Sequence, residues 1–250
     1  MIQLKNSAQI KVMREAGRIT AQALLVAREA LREGVSTKEL DTKIRNFIES
    51  CGAKPSFLGL YGFPGSACIS INSQVIHGIP SKDVVLQEGD IVKIDLGACY
   101  KGFHGDSART YGVGRISPEA QALIDATEAS FWRGVEQFKE GNRIGDIGSA
   151  IESYVNPLGY EVVRRYVGHG IGHDVHESPE VPNFGTPGRG ARLCRGMVLA
   201  IEPMINAGTG DVKELKDGWT VVTADGKLSA HYENTVALTE SGIVILTDPD

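Results

Sequence analysis

The chain has 250 residues, 42% of them apolar and 23% charged, which is ordinary for a globular protein and enough to bury a large core. A net charge of −5 argues against a nucleic-acid binder, and no apolar run approaches the ~20 residues of a membrane span. Cys51, Cys68, Cys99 and Cys194 show no C-x-x-C spacing and read as free thiols of a reducing cytosol. Lys5, Lys11, Arg14 and Arg18 lead into no apolar signal segment.

The first predicted element is a long helix. Ser7 is its expected N-cap, Ile10, Met13, Gly17, Thr20, Leu24 and Ala27 form one face, and Gly34 is its expected end. Ser36 with Glu39 is a capping-box pattern for a second helix that buries Leu40, Ile44, Phe47 and Ile48 and stops at Gly52. Short strands and turns follow, including Cys68-Ile69-Ser70-Ile71 and the loop His77-Gly78-Ile79-Pro80.

The stretch IVKIDLGACYKGFHGDSARTY, residues 91–111, reads as a β-hairpin that turns near Lys101-Gly102. A turn centred on Tyr100 and Lys101 would set Asp95 directly opposite Asp106, with Cβ atoms roughly 4.5–5.5 Å apart. Two carboxylates that close repel unless they share a proton or a metal ion; alternatively, a bulge shifts the register and both face water. Ser117-Pro118-Glu119 then starts a third helix.

The second half repeats the first at a shift of 107 residues, which carries Glu33-Gly34 onto Glu140-Gly141. The same shift carries Leu40 onto Ile147, Ile44 onto Ile151, Phe47 onto Tyr154 and Gly52 onto Gly159. It also carries Gly89, Ile91 and Ile94 onto Gly196, Val198 and Ile201, and Asp95 onto Glu202. A duplication predicts a single α+β domain of two similar halves, about 1–115 and 116–250, around a pseudo-twofold axis.

That symmetry directs attention to Glu202, deep in the apolar strand GMVLAIEPMI, where an unpaired carboxylate is costly. It also directs attention to Glu233 in HYENTVAL, which answers Asp106 by position. His169 lies in GHGIG, whose glycines argue against a helix and against an i, i+4 zinc pair with His173. H-x-x-P occurs twice, at His77 and at His176, each ahead of an acid-bearing strand.

In order and spacing, HGIP, KIDLGACYKGFHGDSART, GHGIG, HESP, AIEP and HYENTVAL resemble type I methionine aminopeptidase. That family has the pita-bread fold shared with Xaa-Pro peptidases and creatinase. The resemblance spans essentially the whole chain. It implies two pseudo-twofold halves with a central, mostly antiparallel sheet and helices on its outer face. It implies five metal ligands, Asp95, Asp106, His169, Glu202 and Glu233. Asp106 and Glu233 would bridge two ions, Asp95 would complete one, and His169 with Glu202 the other. His77 and His176 fall on the family's two functional imidazoles outside the ligand set.

Four carboxylates and one imidazole form a hard, anionic set suited to two divalent ions of the Mn, Fe, Co, Zn or Ni series. Two such ions roughly 3.5–4 Å apart can hold a hydroxide that attacks the first peptide bond. Glu202 would shuttle the proton, His176 would stabilise the oxyanion and His77 would contact the scissile amide. Phe57, Leu60, Phe63, Cys68, Val175 and Trp219 are the expected methionine pocket. The chain departs from the family pattern at Leu60, Val175 and Gly97.

The implied substrates are nascent chains beginning with Met and a small second residue, handled in the cytoplasm by a monomer with scope for ribosome contact. Length separates the relatives. Xaa-Pro peptidases carry a large domain ahead of this fold, and the span from His169 to Glu202 is too short for the type II helical insertion. The alternatives are an Xaa-Pro aminopeptidase or prolidase-like enzyme, a silent pita-bread binding module, or a mononuclear iron oxygenase using Asp95 and His169. The last leaves Glu202, Glu233 and the repeat unexplained.

Overall fold

The computed structural model describes residues 1–249. Helix α1 (Ser7–Ala30) is capped by Asn6 rather than Ser7, because Asn6 and Gln9 exchange side-chain-to-amide bonds in a complete capping box. It ends at Ala30, ahead of Gly34, whose φ of 82° belongs to the next turn. Helix α2 (Thr37–Ser50) begins with the Ser36/Glu39 box and buries Leu40, Ile44 and Ile48 completely. Each such burial contributes roughly 1.5–3 kcal/mol.

The strands that follow are β1 (Lys54–Pro55), β2 (Ala67–Ile71), β3 (Gln74–Ile76), β4 (Ile91–Tyr100) and β5 (Phe103–Gly112). After α3 (Pro118–Val135) and α4 (Ile144–Val155) come β6 (Glu161–Val162), β7 (Gly168–Gly170), β8 (Glu177–Val181), β9 (Val198–Ile201) and β10 (Met204–Asn206). The chain closes with β11 (Val212–Glu214), β12 (Val221–Thr223), β13 (Ser229–His231), β14 (Asn234–Thr239) and β15 (Gly242–Ile245). The two larger sheets are β1-β4-β2 with β5 on β4, and β15-β14-β9-β7-β8. The paired strands run antiparallel throughout.

The β4–β5 hairpin corrects the expected register. The turn is Lys101-Gly102, both with positive φ (49° and 78°), and Tyr100 pairs with Phe103. Asp95 therefore sits opposite Ala108, and Asp106 opposite Gly97. A two-residue turn with both φ positive matches the twist of the strands it joins, which fixes the centre one residue later than expected. That displacement preserves the alternation of faces, so the two acids remain on one face as diagonal neighbours.

Alternation also separates site from core. Val92, Ile94, Leu96 and Ala98 pack with α1 and α2 residues in one buried cluster, while Asp95 points to the opposite face. In β9, Leu199 and Ile201 join Leu123, Phe131, Ile147 and Ile151 from α3 and α4, and Glu202 follows with the opposite parity. Thus the helices cover one side and the acids line the other.

The β4–β5 sheet meets β14 of the five-stranded sheet, and β13 of a smaller sheet beside it, along a seam at β5. Ala108 and Glu233 exchange backbone bonds. Thr235 Oγ1 accepts from the Asp106 amide and donates to the Asp106 carbonyl, both at 2.9 Å. Thr110 Oγ1 repeats the arrangement with His231, at 2.9 and 2.8 Å. Several elements recur at the offset seen in the sequence: α2 and α4 begin at 37 and 144, β1 and β6 at 54 and 161, β4 and β9 at 91 and 198. The isolated bridges Ser36–Val85 and Arg143–Arg192 are related in the same way.

Candidate metal centre and active site

Five side chains from both sides of the seam converge. Asp95 comes from β4, Asp106 from β5, His169 from β7, Glu202 from the break between β9 and β10, and Glu233 from the break between β13 and β14. The pairings Ile201–Asn234 and Met204–His231 place Glu202 and Glu233 across from one another at that interruption. Asp106, His169 and Glu233 are buried, and one ligand atom from each lies within 4.8 Å of the others. His169 Nε2 is 3.4 Å from Glu202 Oε1 and 3.8 Å from Asp106 Oδ2.

Asp95 Oδ1, Asp106 Oδ1 and Glu233 Oε1 are buried with no hydrogen bond. Burial pushes the Asp95 carboxyl up to about 7. Burial first, and then neighbouring acids, hold Asp106, Glu202 and Glu233 well above the usual carboxylate range. Burial, followed by the nearby His176, presses His169 down to about 3, so the ring is neutral and able to ligate. Orphaned carboxylate oxygens converging beside a neutral imidazole fit a hard divalent cation.

A cavity of ≈ 510 Å³ opens onto these groups. Its apolar end is a separate small cluster of Phe57, Phe63, Cys68 and Val175, packed with Leu60, Ile79 and Trp219. All six expected pocket residues belong to that cluster, and all but Val175 line the cavity. Phe63 and Trp219 meet edge to face at 5.0 Å. Burial raises the Cys68 thiol well above its ordinary value, so it serves there as an apolar group.

His77 and His176 both line the cavity. His77 adopts φ 59°, sparsely populated for a non-glycine residue, and its ring meets Tyr166 edge-on at 5.7 Å. Burial and His176 bring His77 down to about 4. His176 stands exposed at the rim, 4.5 Å from the His169 ring and stacked on Tyr61 at 5.8 Å. His173 turns away, with Nδ1 2.8 Å from the Gly102 carbonyl. At Gly97 a Cβ would meet Gly105 O at 2.8 Å and Ser56 Cβ at 2.9 Å, so no hydroxyl side chain fits there. Ser56 supplies one nearby, 2.8 Å from His104 Nδ1.

Several residues at the site escaped the sequence reading. His231 is buried, with neither ring nitrogen hydrogen-bonded, and its Nε2 lies 3.8 Å from Glu202 Oε2 and 3.9 Å from Glu233 Oε2. Tyr61 and Tyr166 line the cavity. Arg109 holds the Glu233 backbone through its carbonyl at 2.5 Å and lies over the Tyr232 ring.

An apolar pocket ending in buried acids and a neutral imidazole, on this fold, defines a metal-dependent hydrolase. The sequence matches metallopeptidase family M24 over residues 11–240, and the chain belongs to that family. It is 59% identical to the methionine aminopeptidase of Clostridium perfringens over 99% of both chains. The crystal structure of methionine aminopeptidase from Thermotoga maritima superimposes with a TM-score of 0.97 at 41% identity, covering 99% of this chain and 100% of that one. The prolidase of Pyrococcus furiosus, with TM-score 0.81 and 26% identity, matches 99% of this chain but only 66% of its own. No helix among the described residues is long and apolar enough to cross a membrane.

Proposed function

We propose that the chain is a methionine aminopeptidase that removes the initiator Met from nascent polypeptides when the second residue is small. The observation that carries this is the abutment of the closed apolar cluster around Phe63 and Trp219 on the acid-and-imidazole group. Asp95, Asp106, His169, Glu202 and Glu233 would hold two divalent ions. When bound, such ions supply an activated water at neutral pH and polarise the scissile carbonyl.

The chain's own residues do the rest. Phe57, Leu60, Phe63, Cys68 and Trp219 seat the methionine side chain, with Val175 packed among them. Glu202 takes a proton from the attacking water and gives it to the leaving amine nitrogen. His176, at the rim, donates to the developing oxyanion, and His77 contacts the scissile amide. A bulky second residue would push the carbonyl out of line, and misplacement by about 1 Å can cost on the order of 10²-fold. The matched offsets support one catalytic domain of two related halves. The reading also includes a cytoplasmic monomer that meets its substrates near the ribosome.

The test is a peptide-cleavage assay across a metal titration, with Met-Ala-Ser, Met-Leu-Ser and an Ala-Pro peptide side by side. Release of Met from Met-Ala-Ser alone is the expected result. Cleavage of Ala-Pro with Met-Ala-Ser untouched would establish a prolidase-like enzyme instead.

A further inference from the structure

The segment ahead of α1 reaches the catalytic cleft through one side chain. Lys5 is tied by its amide to Gly196 O at 2.7 Å, and its Nζ pairs with Glu177 Oε2 and with Gln3 O at 3.1 Å. The pair is buried, with the side chains 3% and 4% exposed. The other carboxylate oxygen, Glu177 Oε1, accepts from the His173 amide at 2.8 Å and the Asp174 amide at 3.4 Å. Glu177 thus links an ammonium 172 residues away to the backbone of the loop that ends in His176.

Gly172, in the GHGIG stretch, makes room for this link. A Cβ there would overlap Lys5 Cε, Lys5 Nζ and Glu177 Oε1. His176 itself has ring contacts with His169 and Tyr61 but no hydrogen bond to its imidazole among the described residues. Beyond those ring contacts its placement depends on its backbone, and Glu177 is the adjoining residue.

We propose that Lys5 is a positioning residue for hydrolysis: its ammonium anchors Glu177 and so fixes the backbone that presents His176 to the substrate. This rests on the role given to His176 above. A buried charge pair suits the task because its geometry is steep in distance and little screened by salt.

The experiment uses the metal-loaded full chain and Met-Ala-Ser cleavage in Lys5→Met, Lys5→Met/Glu177→Gln, His176→Ala and Lys5→Met/His176→Ala. The Lys5→Met/Glu177→Gln variant removes both charges, so no unpaired buried carboxylate is left to unfold the protein. Both variants that lack the tie should lose about ten- to hundredfold in kcat, with KM and bound metal little changed. Adding Lys5→Met to His176→Ala should cause no further loss, because the two act through one group. Unchanged kcat in Lys5→Met and in Lys5→Met/Glu177→Gln, or losses that multiply in Lys5→Met/His176→Ala, would overturn the proposal. If His176→Ala alone left kcat intact, the role of His176 would fall and the proposal with it.

Discussion

His169 Nε2 faces Glu202 Oε1 across 3.4 Å while its Nδ1 sits 2.9 Å from the Gly170 carbonyl. A carbonyl only accepts, so Nδ1 carries the proton and Nε2 is left with its lone pair turned into the acid group. The tautomer needed for ligation is thus set by the backbone of the next residue, before any cation arrives.

Asp106 sits at the centre of the proposed ligand set. It belongs to the tight group with His169 and Glu233, and its Oδ2 lies 3.8 Å from His169 Nε2. Asp106→Asn should abolish hydrolysis and weaken binding of both ions. Calorimetric titration with Mn²⁺ checks this, and two ions bound at wild-type affinity would refute a bridging role.

His176 contributes no atom to the acid group. His176→Ala should leave metal content unchanged and lower kcat by roughly 10²–10³, the usual loss for one oxyanion donor. Loss of a metal from the variant would make His176 a ligand instead.

The metal-free protein should become less stable as pH rises above about 6.5. Asp95, pushed up to about 7, binds its proton more tightly folded than unfolded, and Asp106, Glu202 and Glu233 shift the same way. Stability from such groups is present at low pH and is lost as pH passes their folded values. His77, His169 and His231, pressed to about 4, 3 and 3, act oppositely, but their contribution is complete above the ordinary histidine value of 6.5. Thermal melting in chelator should show Tm falling from pH 6.5 to about pH 8, and added Mn²⁺ should flatten or reverse the trend. A rising Tm in chelator would contradict the account.

Gly17 and Gly105 let α1 lie directly on β5 and on the chain after β15. A Cβ at Gly17 would run into the Leu246 carbonyl, and one at Gly105 would come within 2.7 Å of the Gly17 backbone. Either substitution to Ala meets backbone that cannot swing aside and should cost about 1–3 kcal/mol. Chemical denaturation checks this. Wild-type midpoints for both variants would show that the helix can shift away freely.

Alternating patterns carried much of this into the sequence. The face of β4 that holds Asp95 was readable, and it survived a misplaced turn because moving the centre by one residue leaves parity intact. His231 was open to the same reasoning, since it lies two residues before Glu233 on an extended stretch. The Asn6 cap went unread because Ser7, beside it, is an equally good capping residue and only Gln9 decides between them. The seam joins positions such as Asp106 and Thr235, far apart in sequence, through threonine hydroxyls that carry no local signature. Val175 belongs to the pocket cluster by type, but whether such a side chain reaches the cavity surface depends on tertiary packing that its sequence neighbours do not encode.

The split origin of the ligands has a thermodynamic consequence. Asp95 and Asp106 come from β4 and β5 on one side of the seam, and His169, Glu202 and Glu233 from β7 and the ends of β9 and β13 on the other. A cation held by both groups binds only while the two sheets are docked, so its binding free energy is added to their cohesion. At a free metal concentration a hundred times Kd, that linkage amounts to about 2.7 kcal/mol. Metal scarcity would then act first as mechanical loosening: amide exchange along β5 and β14 should quicken under chelation before the helices on the outer face respond.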